Sequence, residues 1–306
     1  MTNPSKCRIC TADADQQHLR AEYVFGSKTG HKFWQCKACG LVYLYPIPSQ
    51  EEEDQFYAQE FEKFMENRSG SDRNWSGPEA HIKTNLDQAV RRWEFLKDYI
   101  EPAQEVLEIG CSSGFMMDDL KTRGINVVGI EPSGGFGDFL TNRGHEHYNS
   151  PEELLEKTPD RKFDMVMHFF VLEHIRDTKA FLESQLALLK PGGWIVAEVP
   201  NVNDPLTSVY KIPAFEKFYW SIAHHYYFNP ASLTQVLETI DCNQYHFVNE
   251  QRYDLSNHIT WLQDGKPGGQ GRFDHIFSNE TLHAYKQDLI KTDHCDTFFL
   301  YIQKAL

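Results

Sequence analysis

Val106-Leu107-Glu108-Ile109-Gly110-Cys111-Ser112-Ser113-Gly114-Phe115 is the stretch whose reading decides the fold. An apolar run holds one carboxylate, meets a glycine turn and passes into what reads as a helix. A glycine at such a turn lets backbone approach a ligand, because no Cβ stands in the way. In doubly wound α/β folds the first strand-to-helix turn is where a nucleotide-like ligand sits. The spacing is not the dinucleotide fingerprint G-x-G-x-x-G, since Ser112 occupies the second glycine position.

The pattern around this stretch is one of alternation. A helix is expected over 81–99, with Leu86, Val90, Trp93 and Leu96 on one face. Strands are expected at 105–109, 126–130, 145–148, 163–168 and 194–199, with helical stretches between them. Strands alternating with helices imply parallel crossover units. Gln244 to Glu250 and Thr297 to Gln303 read as two more strands. A helix over Leu233 to Thr239 precedes the first of them, with Asn229 or Ser232 as its cap. The fold class is therefore α/β, with seven strands in a Rossmann-like sheet.

Several positions in this frame are candidates for binding. Glu131 ends the strand Asn126 to Ile130, where a carboxylate accepts both hydroxyls of a ribose. Phe163-Asp164-Met165-Val166-Met167-His168-Phe169-Phe170-Val171-Leu172-Glu173-His174 brings His168 to the carboxyl end of a strand. Glu173 and His174 read either as acid and base or as groups that cap or orient the next helix, the second being preferred. Leu188-Leu189-Lys190-Pro191-Gly192-Gly193 reads as a helix closed by a glycine cap before the strand Trp194 to Val199.

Taken in order, Glu108-x-Gly110-x-x-x-Gly114, Glu131, the Phe163–His174 block and the Lys190–Gly193 turn resemble class I methyltransferases that use S-adenosylmethionine. The resemblance implies the seven-stranded methyltransferase sheet and S-adenosylmethionine as cofactor. It places the cofactor on Glu108, Gly110, Cys111, Gly114, Glu131 and Pro132, with the backbone or ring of His168, and Phe169 beside it, near the methionine part.

Cys7-x-x-Cys10 and Cys36-x-x-Cys39 form two knuckles, with Gly40 after the second. Four thiolates on two tight turns make a soft tetrahedral site, suited to structural Zn²⁺. A redox pair is the alternative. Short strands are expected at His18–Tyr23, His31–Gln35 and Leu41–Tyr45. An acidic helix over Glu51–Glu66 carries Phe56, Tyr57, Phe61 and Phe64 at helical spacing, and Arg68–Pro78 reads as a loop or lid. The expected division is a zinc-binding and lid region over 1–75 and a methyltransferase domain over 76–306.

Two such knuckles before this core also resemble the zinc-containing sugar methyltransferases, including C-methyltransferases of nucleotide-linked deoxy sugars. In that family a Glu-His pair followed by aromatics supplies the base. The matching residues are His224-His225-Tyr226-Tyr227-Phe228, so His225 takes the base position and His224 replaces Glu. His225, His224 and His174 are the catalytic candidates, since a neutral imidazole suits proton removal near neutral pH. Tyr57, Tyr219 and Tyr226 are candidates for lining the substrate, with packing the preferred role for each. The polar stretch Ser256–Gly269 reads as a loop at the substrate mouth.

The chain has 306 residues, 30 Lys+Arg against 44 Asp+Glu, and a formal net charge of −14. Such a balance disfavours nucleic acid and anionic membranes. No signal pattern or membrane-length apolar run is present, so a cytoplasmic location is expected. The seven Cys do not suit a secreted disulfide scaffold. The expected activity is methyl transfer to a small polar acceptor, a sugar or nucleotide-sugar of a surface polysaccharide or glycosylated metabolite. An rRNA or tRNA methyltransferase with a zinc ribbon, and a non-catalytic S-adenosylmethionine-binding module, are the alternatives. Oligomeric state is left open.

Overall fold

The computed structural model describes residues 3–28, 30–56, 77–132 and 134–306. Its large sheet takes β4 (Glu105–Ile109), β5 (Asn126–Ile130), β6 (His147–Tyr148), β7 (Phe163–Phe169), β8 (Leu189–Pro200), β10 (Gln244–Glu250) and β11 (Thr297–Gln303) in the spatial order β10-β11-β8-β7-β4-β5-β6. β4 to β8 pair in parallel, while β11 runs antiparallel to both of its neighbours. The chain leaves β4 toward β5 and β6, then crosses back to β7. That reversal opens the crevice between the carboxyl ends of β4 and β7, where ligands bind in open α/β sheets. The seven expected strands are present, with β6 shorter and β8 longer than their patterns suggested.

A second sheet of four antiparallel strands comprises β1 (Gln17–Ala21), β2 (Lys32–Cys36), β3 (Val42–Tyr45) and β9 (Tyr226–Tyr227). Its fourth strand comes from far along the chain. Val42 and Tyr43 of β3 pair with Tyr227 and Tyr226. The sequence division at residue 75 is therefore crossed by a β ladder. The two sheets also share one core, because Cys7, Trp34 and Tyr43 cluster with Leu107, Val166, Ala197 and Phe228.

Three local expectations need correction. The helix read over 81–99 spans Pro78–Leu96 and buries Ala89, Arg92 and Leu96, whereas Leu86 and Val90 are exposed. The buried face includes Arg92 because Glu198 of β8 meets it: Arg92 Nε is 2.9 Å and Arg91 Nη2 2.6 Å from that fully buried carboxylate. Removing either partner of such a buried pair leaves an uncompensated charge. The helix Thr178–Leu188 ends on extended Leu189, not on a glycine cap. Gly192, at φ +75°, lies within β8 instead, where the β7–β8 register shifts between Phe163 and Met165. The supposed loop over 256–269 begins with the helix Leu255–Asp264, capped by Asp254 accepting from Asn257 N–H. A further helix, Asn279–Lys291, went unread.

Of the expected acidic helix, Gln50–Gln55 is helical, and its capping box joins Ser49 and Glu52. Tyr57, Phe61, Phe64 and residues 68–76 lie outside the described residues. Asn229 caps the helix Pro230–Leu237, and Ser232 closes its capping box. No described helix is long and apolar enough to cross a membrane.

Candidate functional site

At the end of β4 the backbone N–H groups of Gly110 and Cys111 donate to the carbonyl of Ile130, at 2.8 and 3.2 Å. This ties the turn to the end of β5. Gly110 holds φ +75°, and a Cβ there would lie 2.8 Å from Val171 Cγ2. Both the dihedral and the space demand glycine. Gly114, also at φ +75°, opens the helix Phe115–Thr122. Ser112 holds a left-handed φ of +44° between them. Its N–H donates to Glu131 Oε2 at 2.8 Å, so the strand-end carboxylate is anchored on the turn it faces.

Glu108 is 3% exposed, and its Oε2 has no hydrogen-bond partner among the described residues. Burial pushes its pKa up to about 8, with Glu131 adding to the rise and Arg92 opposing it. A buried carboxylate oxygen lacking a donor fits a ligand that brings an amino group. Cys111 is sealed, its sulfur filling the space a Cβ at Gly129 would need. That leaves its backbone at the turn. Pro132 is exposed beside Glu131. Phe169, at the end of β7, lies under Arg92, whose guanidinium carbon is 4.2 Å from the ring centroid.

His168 does not offer its ring to this crevice. The ring is fully buried, has no hydrogen-bond partner among the described residues, and meets Phe181 of the Thr178–Leu188 helix edge-on at 5.5 Å. Burial lowers its pKa to about 3, so it is neutral. Side chains alternate along a strand, so a residue between inward Met167 and Phe169 turns to the opposite face. His81, unread in the sequence, does adjoin the turn. Its Nδ1 lies 2.8 Å from Ser113 Oγ, and its ring packs on Phe115 and Phe136.

The segment after β7 borders both this turn and a second group of residues. Val171 covers Gly110, and two residues on, the Glu173 carbonyl accepts the His225 N–H at 2.8 Å. The His225 carbonyl in turn accepts from Leu44 N–H at 3.0 Å, so His225 is strung between the segment and β3. His225 Nε2 lies 2.8 Å from Glu53 Oε1, and Arg176 Nη2 lies 2.7 Å from the same oxygen. His225 Nδ1 is buried and has no hydrogen-bond partner among the described residues. Burial works to raise the Glu53 pKa, but His225 and Arg176 together hold it below the usual carboxylate range.

Glu173 and His174 do not cap the next helix. Asp177 does, accepting from Ala180 N–H at 3.0 Å. His174 Nδ1 lies 2.8 Å from the Ala223 carbonyl, and its ring meets that of His224 at 4.7 Å. His224 also packs on Tyr227. Tyr219 and Tyr226 donate their hydroxyls to the carbonyls of Asn201 and Arg176, which suits the packing role expected of them. Glu53 escaped the sequence reading altogether. It stands in an acidic run with nothing local to mark it, although the Ser49-x-x-Glu52 capping box that places it was legible.

Cys7, Cys10, Cys36 and Cys39 converge. Sγ of Cys7 and Cys39 are 3.8 Å apart, and those of Cys10 and Cys36 3.6 Å. Gln17 backs the group, its Nε2 3.7 Å from Cys36 Sγ and its Oε1 accepting from Tyr43 Oη. Four thiolates around one Zn²⁺ at about 2.3 Å would stand about 3.8 Å apart; two of the sulfur pairs are near that spacing, and all four sulfurs lie within 4.8 Å of one another, a donor set that fits such an ion.

The family of the methyltransferase domain matches residues 79–246. A ubiquinone biosynthesis O-methyltransferase of Bradyrhizobium is 33% identical over 102 residues, which cover 32% of this chain and 40% of that protein. A tRNA U34 carboxymethyltransferase of Pseudoalteromonas translucida is 36% identical over 117 residues, 35% of this chain and 36% of that protein. The chain thus spans two fifths or less of the length of these two relatives. A SAM-dependent methyltransferase from Archaeoglobus fulgidus superposes with TM-score 0.48 at 20% identity, over 72% of this chain and 94% of that one. With more than half of its residues matched by that family, and with the turn, strand-end carboxylate and sheet order described above, the chain belongs to the methyltransferase-domain family.

Proposed function

We propose that this protein transfers a methyl group from S-adenosylmethionine to a small polar acceptor, a sugar or nucleotide-sugar, with His225 as the base. The observation that carries the reading is the Nδ1 of His225, buried and without a hydrogen-bond partner among the described residues, on a segment strung from the one that covers the glycine turn. When bound, S-adenosylmethionine would supply a methyl group activated by the sulfonium charge, with a neutral thioether as the leaving group. The chain's own residues have three tasks. Gly110, Cys111 and Gly114 give backbone access, Glu131 takes the ribose, and Glu108 takes an amino group. His225 Nδ1 removes the acceptor's proton as the acceptor's electron pair forms the new bond, and later releases it to water. Cys7, Cys10, Cys36 and Cys39 hold one Zn²⁺ in a closed site with no position left for chemistry. The regions 1–75 and 76–306 then divide roles, one bracing His225 through β3 and the other holding the cofactor.

Two relatives name other acceptors, a ubiquinone precursor pathway and a tRNA. A net charge of −14 opposes a polyanionic acceptor. Mass spectrometry of methyl transfer over nucleotide-sugars, phenolic compounds and bulk tRNA separates these readings. Methylated nucleotide-sugar supports the proposal. Product confined to the phenols or the tRNA overturns the acceptor class and leaves the cofactor reading standing.

A further inference from the structure

The sequence lacks a carboxylate beside His225, because His224 stands there. The fold brings one from the other end of the chain. Ser49 and Glu52 cap each other's backbone and start the short helix Gln50–Gln55. Glu53 follows on its inward side, with its side chain 17% exposed and that of His225 7% exposed. Arg176 clamps the arrangement from a third segment, since its Nη2 reaches both Glu53 Oε1 at 2.7 Å and the Pro48 carbonyl at 2.7 Å. The helix is thereby fixed at its start and at its carboxylate.

We propose that Glu53 is the positioning residue of His225: its carboxylate, 2.8 Å from Nε2, faces that nitrogen as an acceptor, favours the tautomer that keeps the proton on Nε2 and leaves Nδ1 as the nitrogen that accepts the acceptor's proton. The inference rests on the reading of His225 as the base and adds the group that makes it one. A neutral imidazole carries one N–H, and a carboxylate facing one nitrogen decides which nitrogen that is. It also stabilises the imidazolium that forms when the other nitrogen takes up a proton, as the carboxylate does in hydrolase triads. A buried Nδ1 with no hydrogen-bond partner among the described residues is what this division of labour requires on the reacting side. Arg176 keeps Glu53 ionised and oriented, so the carboxylate does not act alone. Because Glu53 lies in the segment that follows β3, proton removal depends on a region outside the methyltransferase match.

The test uses the full chain labelled with ¹⁵N-histidine, the His225 signals being assigned by their loss in His225→Ala. The wild-type ring should show the Nε2–H tautomer. Glu53→Gln, whose amide can donate to Nε2, should shift the ring toward Nδ1–H, while Glu53→Asp should retain the wild-type pattern. With whichever acceptor the panel yields, Glu53→Gln should lose roughly tenfold or more in kcat, with KM and cofactor affinity within about threefold, and Glu53→Asp should recover part of the rate. A wild-type Nδ1–H ring, or ring signals unchanged in Glu53→Gln, overturns the proposal, and neither measurement needs an acceptor. If Glu53→Gln fails to fold, the wild-type tautomer and Glu53→Asp still decide. A correct tautomer together with full activity in His225→Ala would refute the base and leave the Glu53 contact standing.

Discussion

From Glu108 to Glu131 the chain closes its glycine turn out of neighbouring residues, through backbone hydrogen bonds across two adjacent parallel strands. Around His225 it gathers Leu44, Glu53, Glu173 and Arg176 from three separate stretches and holds them with one β ladder and one shared carboxylate. The turn is determined by dihedral angles and by the lack of a Cβ, so only a few residue types satisfy it. The histidine group depends on tertiary placement, so its parts carry no local mark. The turn at the end of β4 can thus stay legible in the sequence while the group around His225 is assembled from elsewhere.

The sharpest way to break this contrast is His225→Ala. Turnover should fall by roughly 10²-fold or more, while the cofactor affinity read by calorimetry stays within about threefold. Loss of both together would mean that the two regions are one. Cys36→Ser comes next. Elemental analysis should find about one zinc per wild-type chain and little in this variant, and β3, which carries the Leu44 contact to His225, should loosen. Turnover should drop roughly thirtyfold through misplacement of the ring, again with cofactor affinity nearly kept. A variant that retains the ion at one per chain, or full activity without it, would uncouple the four-stranded sheet from the chemistry.

Glu131→Ala probes the other region. Affinity for S-adenosylmethionine should weaken about tenfold, or about 1.4 kcal/mol, and kcat at saturating cofactor should change little. The smallest effect concerns Glu108. Its folded-state pKa of about 8 lies above the ordinary 4.5, so the folded state binds the extra proton. Its contribution to stability is therefore complete below about pH 4.5 and declines as pH rises through about 8. In cofactor-free protein, Glu108→Gln should melt a few degrees above the wild type at pH 8.5, with the gap closing toward pH 5. A gap that widens toward acid would reverse the sign and place a donor on Glu108.

How far the sequence reaches follows from the same physics. Strands at 105–109, 126–130, 244–250 and 297–303 were legible because β-branched and aromatic runs between turn residues specify them locally. The face of the Pro78–Leu96 helix was misread because Arg92 is buried by Glu198, a partner a hundred residues away. Hydropathy assigns such an arginine to solvent. The glycines at 192 and 193 were taken for a helix cap, since a cap and a strand irregularity call for the same residue. The position of His168 along β7 admits its backbone or its ring near the crevice, and does not say which face of the strand the ring takes. Cys7, Cys10, Cys36 and Cys39 were legible as a cluster by spacing alone. Glu53 had no signal at all, because its meaning lies in Arg176 and His225.

The ladder between β3 and β9 also sets an order of assembly during synthesis. The ribosome releases Val42–Tyr45 long before Tyr226 and Tyr227, and at roughly 5–20 residues per second the delay is on the order of ten seconds. For that interval β3, whose Val42, Tyr43 and Leu44 end up fully buried, is an apolar edge strand without its partner. An unpaired edge of this kind is a template for another chain's strand. The nascent protein must therefore shield it, and any slowing of translation between the two segments lengthens the exposure and favours aggregation over the native pairing.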